Sequence, residues 1–357
     1  MNVYEELNVK TYINALDPIS SYGGSLLSPA VLDAMEEASR SFVRMEDLHA
    51  AVGERIARMT DNEGAAVVSG TAAGMMLCAA ALMTKGDYRK MMCLPDVTGL
   101  PNEILILKEH TSVFDGEMCI TGARIVAVEA GRHEKDKLLA AVTEKTCAIY
   151  YAQVREHNTL TFEEALEVAQ RADLPLVVNA AAQLPPMENL WRFTKAGAAA
   201  AIFAGGRALR GPSGSGLVVG QKWLTDAILS IAPPKHSIAS VANIGREEIV
   251  GFFVALEEYM AGDDLNARIQ RAERIIREAR HSIEREGYFL CRRSYPGPSG
   301  QHYPRMALEI LGSYSAEVLV EMLAAGEPPI LVSRADSEDV ENGICINLMM
   351  LDDAQVE

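Results

Sequence analysis

Three short segments of this 357-residue chain combine small residues with polar side chains in a way that suits an anionic ligand. They are VVSGTAAGM (67–75), LPLVVNAAAQLPPMENL (174–190) and IFAGGRALRGPSGSG (202–216). Each contains an apolar run typical of a buried strand, and the run leads into small or polar residues. We therefore expect all three at the carboxyl ends of strands, the edge where open α/β sheets bind ligands.

The first segment predicts a phosphate-binding helix start. Ser69, Gly70, Thr71 and Ala72 follow the apolar run, so their backbone N–H groups and two hydroxyls are expected to point at one spot. Oriented amides and the positive end of a helix dipole hold phosphate well. Small residues at a strand–helix turn also serve simple packing, and this segment alone does not decide between the two interpretations.

The other two segments add polar groups to the same predicted edge. Asn179 comes just past a predicted strand, and Gln183 follows four residues later. Arg207 and Arg210 lie in a glycine-rich loop that continues to Ser213. Glycine lets the backbone approach a ligand closely, and arginine contacts phosphate or carboxylate through two N–H groups. The segments predict a site for a phosphorylated or carboxylated ligand, with a solvated basic loop as the alternative for the two arginines.

The elements that must position these residues alternate along the chain. Between residues 60 and 220, short apolar runs alternate with helical stretches, which predicts a mainly parallel, doubly wound α/β sheet. Capping residues predict helix starts at Ser28 and Thr161. The predicted strands are Ala65–Ser69, Met91–Leu94, Ile104–Leu107, Arg124–Val128, Cys147–Ala152, Leu176–Asn179, Ala200–Ala204 and Gly216–Val219.

The alternation stops after Gly220. Two long helices are predicted, over Arg246–Met260 and Leu265–Gly287, and a small α+β domain follows. We therefore predict three parts: an N-terminal arm with helices (1–60), a large domain (61–260), and a connecting helix with a small C-terminal domain (261–357).

The composition limits the classes of function. Asp and Glu number 49 against 33 Lys and Arg, so the formal net charge is -16. An acidic surface repels phosphate backbones and anionic lipid, so we expect neither nucleic acid nor a membrane as a partner. The six cysteines and the histidines show no metal-ligand spacing, so we predict no metal site. Free thiols and an N-terminus without a signal peptide predict a cytoplasmic protein.

Several motifs in order resemble a known family. Besides the three segments, they are SYGGSLLSP (21–29), LPDVTGLPNEI (94–104) and GREEIVG (245–251). From about residue 8 to 258, the chain is similar to the selenocysteine-synthase-like branch of the fold-type I pyridoxal-phosphate enzymes, within the D-glucosaminate-6-phosphate ammonia-lyase group. The resemblance implies a fold-type I PLP-transferase-like α/β domain with a smaller C-terminal α+β domain. It also implies a homo-oligomer, either a dimer or a larger assembly.

Two positions depart from the pattern of that family. By resemblance, Arg207 stands at the lysine that forms a Schiff base with pyridoxal phosphate, and Asn179 stands at the aspartate that pairs with the pyridine nitrogen. Arginine stays protonated and lacks the neutral amine that an internal aldimine requires, and asparagine cannot hold a pyridinium proton. We therefore expect that pyridoxal phosphate is held without the usual covalent bond, or that no cofactor is used.

The resemblance also assigns roles to individual residues. His110 matches a position where a side chain lies over the cofactor ring, and we expect it to act with Arg207 and Asn179 as a polarising or acid–base group. We expect contacts to the cofactor or to an anionic ligand from Ser69, Gly70, Thr71, Ala72, Gln183, Arg210 and Ser213. Other candidates for a working amine are Lys108, Lys195, Lys222 and Lys235.

Two functions remain open at this point. One is an enzyme, a lyase of ammonia-lyase or dehydratase type or a transferase, that acts on a small amino acid or an amino-sugar phosphate without the usual internal aldimine. The other is a non-catalytic ligand-binding or regulatory paralogue, which the missing lysine favours. The polar residues retained in the predicted pocket favour the enzyme.

Overall fold

The computed structural model describes residues 3–129, 131–152, 160–336 and 340–356. The strands are β1 Ile13–Asn14, β2 Gly64–Val68, β3 Glu103–Leu107, β4 Arg124–Val128, β5 Thr146–Ala152, β6 Leu176–Asn179, β7 Ala200–Ala204, β8 Gly216–Gly220, β9 Phe289–Ser294, β10 Arg305–Ile310, β11 Ile330–Leu331, β12 Ser333–Arg334 and β13 Gly343–Ile346. The α-helices are α1 Val3–Glu6, α2 Pro29–Ser39, α3 Met45–Met59, α4 Gly70–Thr84, α5 Tyr88–Cys93, α6 Gly116–Cys119, α7 Glu134–Ala140, α8 Phe162–Ala172, α9 Asn189–Ala196, α10 Lys222–Ile231, α11 Arg246–Ala261, α12 Asp263–Arg285, α13 Ala316–Ala325 and α14 Asp353–Val356.

The chain forms two compact units. Residues 27–260 make up the larger unit, and residues 1–26 together with 261–357 make up the smaller one. In the smaller unit, β12, β13, β10 and β9 form an antiparallel sheet in that order, and β1 pairs in parallel with β11. The smaller unit is therefore an α+β structure that includes the N-terminal segment.

A seven-stranded sheet forms the centre of the larger unit, in the order β2-β8-β7-β6-β5-β3-β4. Neighbouring strands from β4 through β3, β5 and β6 to β7 run parallel, whereas β8 is antiparallel to both β7 and β2. The prediction of a mainly parallel α/β sheet is confirmed. Its strand order differs from chain order, and such reversals create the crevices that bind ligands.

Burial of the strands explains their composition. Every residue of β2, β3, β5 and β8 is buried, which accounts for apolar side chains at consecutive positions. Successive side chains of a strand point to opposite faces. Tyr150 of β5 belongs to the core that contains α4, whereas Tyr151 packs edge-on against Phe162 of α8, whose ring in turn meets Phe193 of α9. Helices therefore cover both faces of the sheet.

The predicted helix starts are confirmed at both capping residues. The Ser28 hydroxyl accepts the N–H of Val31, and Thr161 forms a capping box with Glu164. The long helices predicted after residue 245 are α11 and α12. Within the described ranges, no helix has the length and apolar character that crossing a membrane requires.

One strand prediction is wrong. The run Met91–Leu94 belongs to α5 and the residue that follows it. The Asp87 side chain accepts the N–H groups of Arg89 and Lys90, at 2.9 and 3.2 Å, so it caps a short helix whose Met91 side chain is buried. A buried apolar run of four residues suits a strand or a helix equally, and the cap decides the outcome here.

Candidate functional site

The three segments singled out in the sequence meet at one edge of the central sheet. Gly216, at the start of β8, is paired with both Val68 at the end of β2 and Ala204 at the end of β7. Ile202 of β7 is paired with Asn179, the last residue of β6. The carboxyl ends of β2, β6 and β7 therefore lie side by side, together with the loop that joins β7 to β8.

Close backbone contact joins the start of α4 to the beginning of β8. A Cβ atom added at Gly216 would lie 2.6 Å from the carbonyl carbon of Gly70. Gly70 itself has a φ of 81°, in the left-handed region that glycine adopts without strain. Glycine at both positions is therefore required by this geometry, which places the start of α4 against the loop between β7 and β8.

The start of α4 has the chemistry of an anion site. Ser69, Gly70, Thr71 and Ala72 are half-buried, whereas Ala73–Thr84 are buried. The first N–H groups of any α-helix lack partners within the helix, and the helix dipole is positive at this end. The Ser69 side chain makes no capping hydrogen bond to α4. The hydroxyl and the amides of this turn are therefore suited to phosphate.

The glycine-rich loop folds back on itself beside this turn. The Gly205 N–H donates to the Ser215 carbonyl at 2.9 Å, and the Gly211 N–H donates to the Gly205 carbonyl at 2.9 Å. A Cβ atom at Gly206 would lie 2.4 Å from the Cα atom of Ser213. The loop is therefore a compact structure, and its Ser213 is exposed at the surface.

Arg207 and Arg210 lie in the same turn of this loop. The Arg210 N–H donates to the Arg207 carbonyl at 2.9 Å, and both residues are half-buried. Guanidinium groups in such a position can bind phosphate or carboxylate through two N–H groups. Arg210 has a φ of 56°, which is unusual for a residue with a side chain.

Asn179 is held from two sides. Its Oδ1 accepts the N–H of Ala181 at 3.1 Å, and its Nδ2 donates to the Tyr150 hydroxyl at 2.7 Å. The Tyr150 hydroxyl lies 3.0 Å from Met75 Sδ, which it faces from within the core. Burial raises the pKa of Tyr150 above its usual range, so the phenol stays protonated. Sequence reasoning missed Tyr150 and Met75, because both sit in apolar runs typical of core residues.

His110 is buried and packs on the other face of the sheet from Tyr150. Its ring meets Tyr151 edge-on, with 5.0 Å between centroids, and its Nε2 lies 3.7 Å from the Glu109 carboxylate. Burial lowers the pKa of His110, while Glu109 and Glu134 oppose that shift. In the described part of the chain, Nε2 has no hydrogen-bond partner. His110 therefore favours the neutral form. It packs against Tyr151, whereas Asn179 is hydrogen-bonded to Tyr150, whose side chain lies on the other face of the sheet.

Gln183 lies deeper than the sequence suggested. It is buried, its N–H donates to the Ala180 carbonyl at 3.0 Å, and its own carbonyl accepts Nδ2 of Asn189 at 2.6 Å. These hydrogen bonds shape the turn that follows β6. A role for its side chain toward a ligand stays a prediction.

The alternative lysines are engaged elsewhere. Lys108, Lys195 and Lys222 are exposed and form ion pairs with Glu129, Asp61 and Asp226, respectively. Lys235 is half-buried, and its Nζ lies 3.5 Å from the Leu229 carbonyl. These four contacts all involve groups outside the α4 start and Asn179. Among the residues that the structure describes, no group of three or more His, Cys, Asp and Glu residues is arranged to hold a metal ion.

Two curated relatives are similar to this chain over most of its length. It is 32% identical over 272 residues to D-glucosaminate-6-phosphate ammonia lyase from Salmonella typhimurium, covering 73% of this chain and 71% of that protein. This chain belongs to the D-glucosaminate-6-phosphate ammonia-lyase family. It is also 29% identical over 340 residues to 5'-C-glycyluridine monooxygenase-decarboxylase from a Streptomyces species, covering 92% of this chain and 83% of that protein. No protein-family model matches the chain.

A solved structure supports the same assignment. The structure of a D-glucosaminate-6-phosphate ammonia-lyase superposes with a TM-score of 0.81 and 25% identity, over 100% of this chain and 95% of that one. Fold-type I enzymes of lower identity, such as serine palmitoyltransferase and aspartate aminotransferase, share the fold. The predicted fold-type I architecture is therefore confirmed.

Proposed function

We propose that this chain is an atypical enzyme of its family, which acts on a small amino acid or an amino-sugar phosphate and holds pyridoxal phosphate without a covalent bond to residue 207. The observation that supports this is Arg207, which lies in a glycine loop packed against the start of α4, a turn whose donors suit phosphate. Arginine stays protonated at neutral pH, so it cannot supply the neutral amine of a lysine.

The residues at this edge fit a phosphorylated heteroaromatic ring held by non-covalent contacts. The donors at Ser69–Ala72 suit a phosphate group, and the contact between Gly70 and Gly216 keeps side chains out of the space between turn and loop. Asn179 offers an amide at the end of β6. By resemblance, Arg207 stands where the family has its lysine, and this replacement would remove the covalent bond and leave the binding groups in place.

We assign the following work to the chain's own residues. The turn at Ser69–Ala72 binds the phosphate of pyridoxal phosphate. Arg207 binds a carboxylate or phosphate of the substrate and stabilises negative charge that develops there. Burial lowers the pKa of His110 and favours its neutral form, whose imidazole can accept a proton at one ring nitrogen. When bound, pyridoxal phosphate supplies the electron-withdrawing ring that favours loss of a group or proton beside the substrate's nitrogen.

The relatives indicate the substrate class. The name of the Salmonella relative gives its substrate as D-glucosaminate-6-phosphate and its reaction as ammonia release. We infer an amino acid or amino-sugar phosphate here, because the anion site and the two arginines match a substrate with phosphate and carboxylate groups. We also infer that Arg207 occupies the lysine position of the selenocysteine-synthase-like branch.

The decisive experiment restores the missing amine. The purified protein is incubated with pyridoxal phosphate, reduced with borohydride and analysed by intact mass and peptide mapping. We expect saturable binding without a covalent adduct in the wild type, and an adduct at residue 207 in Arg207→Lys. Arg210→Lys, which adds an amine to the same turn, is the matched control and should give no adduct at 210. An adduct on any lysine of the wild type, such as Lys235, would refute non-covalent binding.

The second candidate function is a non-catalytic ligand-binding or regulatory paralogue. The arginine at position 207 favours it, because the family's usual chemistry requires an amine there. Ammonia release from D-glucosaminate-6-phosphate and related amino acids by the wild type with pyridoxal phosphate separates the two. Turnover supports the enzyme, whereas binding of phosphorylated ligands without turnover supports the paralogue.

We further propose a homo-oligomer, a dimer or larger, in a cytoplasmic setting. Large apolar side chains of the larger unit are strongly exposed, with Phe42 at 99%, Val113 at 88% and Val241 at 80%, and they are candidates for contact with a second copy of the chain. All six cysteines are free thiols, which suits a reducing compartment. The net charge of -16 argues against nucleic acid as a partner. Light scattering of the purified protein measures the number of subunits.

A further inference from the structure

The hydrogen bonds around Asn179 determine which end of its amide faces each neighbour. A backbone N–H group only donates, so the amide atom that faces the Ala181 N–H at 3.1 Å must be the oxygen. The nitrogen then faces the Tyr150 hydroxyl at 2.7 Å. The orientation of this amide is therefore fixed by chemistry and does not depend on the similar shapes of oxygen and nitrogen.

Tyr150 is suited to accept this hydrogen bond. Its hydroxyl has one hydrogen, which is directed at Met75 Sδ at 3.0 Å, so an oxygen lone pair is left for the Asn179 Nδ2 group. Tyr150 and Met75 are 3% and 2% exposed, so they are held by core packing. Met75 Sδ also accepts from the Asn179 nitrogen, at 3.8 Å. The two acceptors are only 3.0 Å apart, so both lie on the same side of the amide and face the same N–H group.

The remaining hydrogen of the amide nitrogen has a different direction. The two N–H bonds of a primary amide diverge in one plane, and Tyr150 takes one of them. Asn179 ends β6 at the ligand edge of the sheet and is half-buried, so its second N–H can reach a ligand there. An N–H donor matches an acceptor lone pair, whereas a protonated ring nitrogen is itself a donor and would repel it.

We propose that Tyr150 is a positioning residue, which holds the Asn179 amide with an N–H group toward the ligand, so that the site selects a heteroaromatic ring whose nitrogen carries no proton. This inference rests on the proposed function, because it concerns the ring of pyridoxal phosphate. It deepens that function by naming the protonation state the site recognises and a residue, Tyr150, that enforces it without touching the ligand.

The test compares two ligands that differ at the ring nitrogen. Pyridoxal phosphate has an acceptor lone pair there, and N-methyl pyridoxal phosphate has a permanent positive charge and no lone pair. Dissociation constants of both are measured by equilibrium dialysis with the full chain. We expect the wild type to bind pyridoxal phosphate more tightly, by about tenfold if one hydrogen bond and one unfavourable charge contact separate the ligands.

The variants locate the origin of this preference. Tyr150→Phe removes the acceptor for one amide N–H and should narrow the ratio of the two dissociation constants about three- to tenfold, because only the Ala181 N–H then holds the amide. Tyr151→Phe removes a hydroxyl from the neighbouring residue, on the other face of β5, and should keep the wild-type preference. Asn179→Asp should reverse the preference toward the methylated ligand, since a carboxylate attracts the charged ring. Thermal unfolding confirms that each variant is folded.

Each outcome bears on one claim. An unchanged preference in Tyr150→Phe overturns the positioning role, and a wild type that favours the methylated ligand overturns the selection of an unprotonated ring. A wild type that binds neither ligand refutes the proposed function, and the inference falls with it. If Tyr150→Phe unfolds, the more conservative Met75→Leu, which removes only the acceptor for the Tyr150 hydrogen, should narrow the preference to a smaller degree, and an unchanged value would contradict the proposal.

Discussion

The helix start at Ser69–Ala72 and the pair formed by Asn179 and Arg207 lie at the same edge of the sheet, but they are specified differently. The helix start depends on backbone geometry, since Gly70 and Gly216 bring two main chains into contact. Asn179 and Arg207 depend on side-chain identity, and the proposed function rests on these two side chains. A backbone contact and a side chain at one edge can therefore change independently of each other.

The largest effect on stability and on phosphate binding should come from disrupting the backbone contact between Gly70 and Gly216. Gly216→Ala puts a Cβ atom 2.6 Å from the Gly70 carbonyl carbon and 2.8 Å from its oxygen, and main-chain atoms cannot move aside cheaply. We expect a loss of about 1–3 kcal/mol in the free energy of unfolding and loss of phosphate binding. Urea unfolding and equilibrium dialysis with inorganic phosphate measure the two effects.

Gly116→Ala is the matched control for that substitution. No atom lies within 4 Å of a Cβ added at Gly116, and its backbone has an ordinary helical conformation. This change should leave stability and phosphate binding close to the wild type. Equal losses in both variants would show that the contact between Gly70 and Gly216 has no special role.

A smaller effect is expected from the buried His110, which packs against Tyr151 and lies apart from the Asn179–Tyr150 contact. Burial lowers its pKa below the usual 6.5, so the unfolded chain binds more protons than the folded chain as the pH falls through that value. The stability contributed by neutral His110 is therefore present above about pH 6.5 and is lost as the pH falls below it. One such group changes the free energy of unfolding by at most about 1.4 kcal/mol per pH unit.

His110→Phe tests this dependence. Phenylalanine keeps an aromatic ring beside Tyr151 and removes the titrating nitrogen, so the slope of stability against pH between 5 and 6.5 should become flatter. His49 is also buried with a lowered pKa, so His49→Phe should flatten the slope as well and the double variant should combine both changes. A slope that His110→Phe leaves unchanged would mean that His110 does not titrate in this range.

The sequence predicted the fold and the common edge of the three segments because both follow from local patterns. Continuous apolar runs followed by small residues mark buried strands and the turns that end them, and β2, β6 and β7 follow this rule. Tyr150 could not be found in this way, because its hydroxyl meets Asn179 only through the pairing of β5 with β6. Likewise, Met91 lies in a helix because of the Asp87 side chain four residues earlier, which outweighs the apolar run.

The smallest effect on stability should come from substituting Ser69. This substitution separates the contribution of a side chain to phosphate binding from that of the backbone amides in the same turn. The Ser69 hydroxyl makes no capping hydrogen bond to α4, so Ser69→Ala should change the free energy of unfolding by less than about 0.5 kcal/mol. If that hydroxyl binds phosphate, the same variant should weaken phosphate affinity about two- to tenfold, the value of one hydrogen bond. Ser28→Ala is the comparison, because the Ser28 hydroxyl does cap α2 and its loss should cost about 1 kcal/mol without changing phosphate affinity. If Ser69→Ala destabilised the protein and left phosphate binding intact, the hydroxyl would be a structural cap and the backbone amides alone would form the anion site.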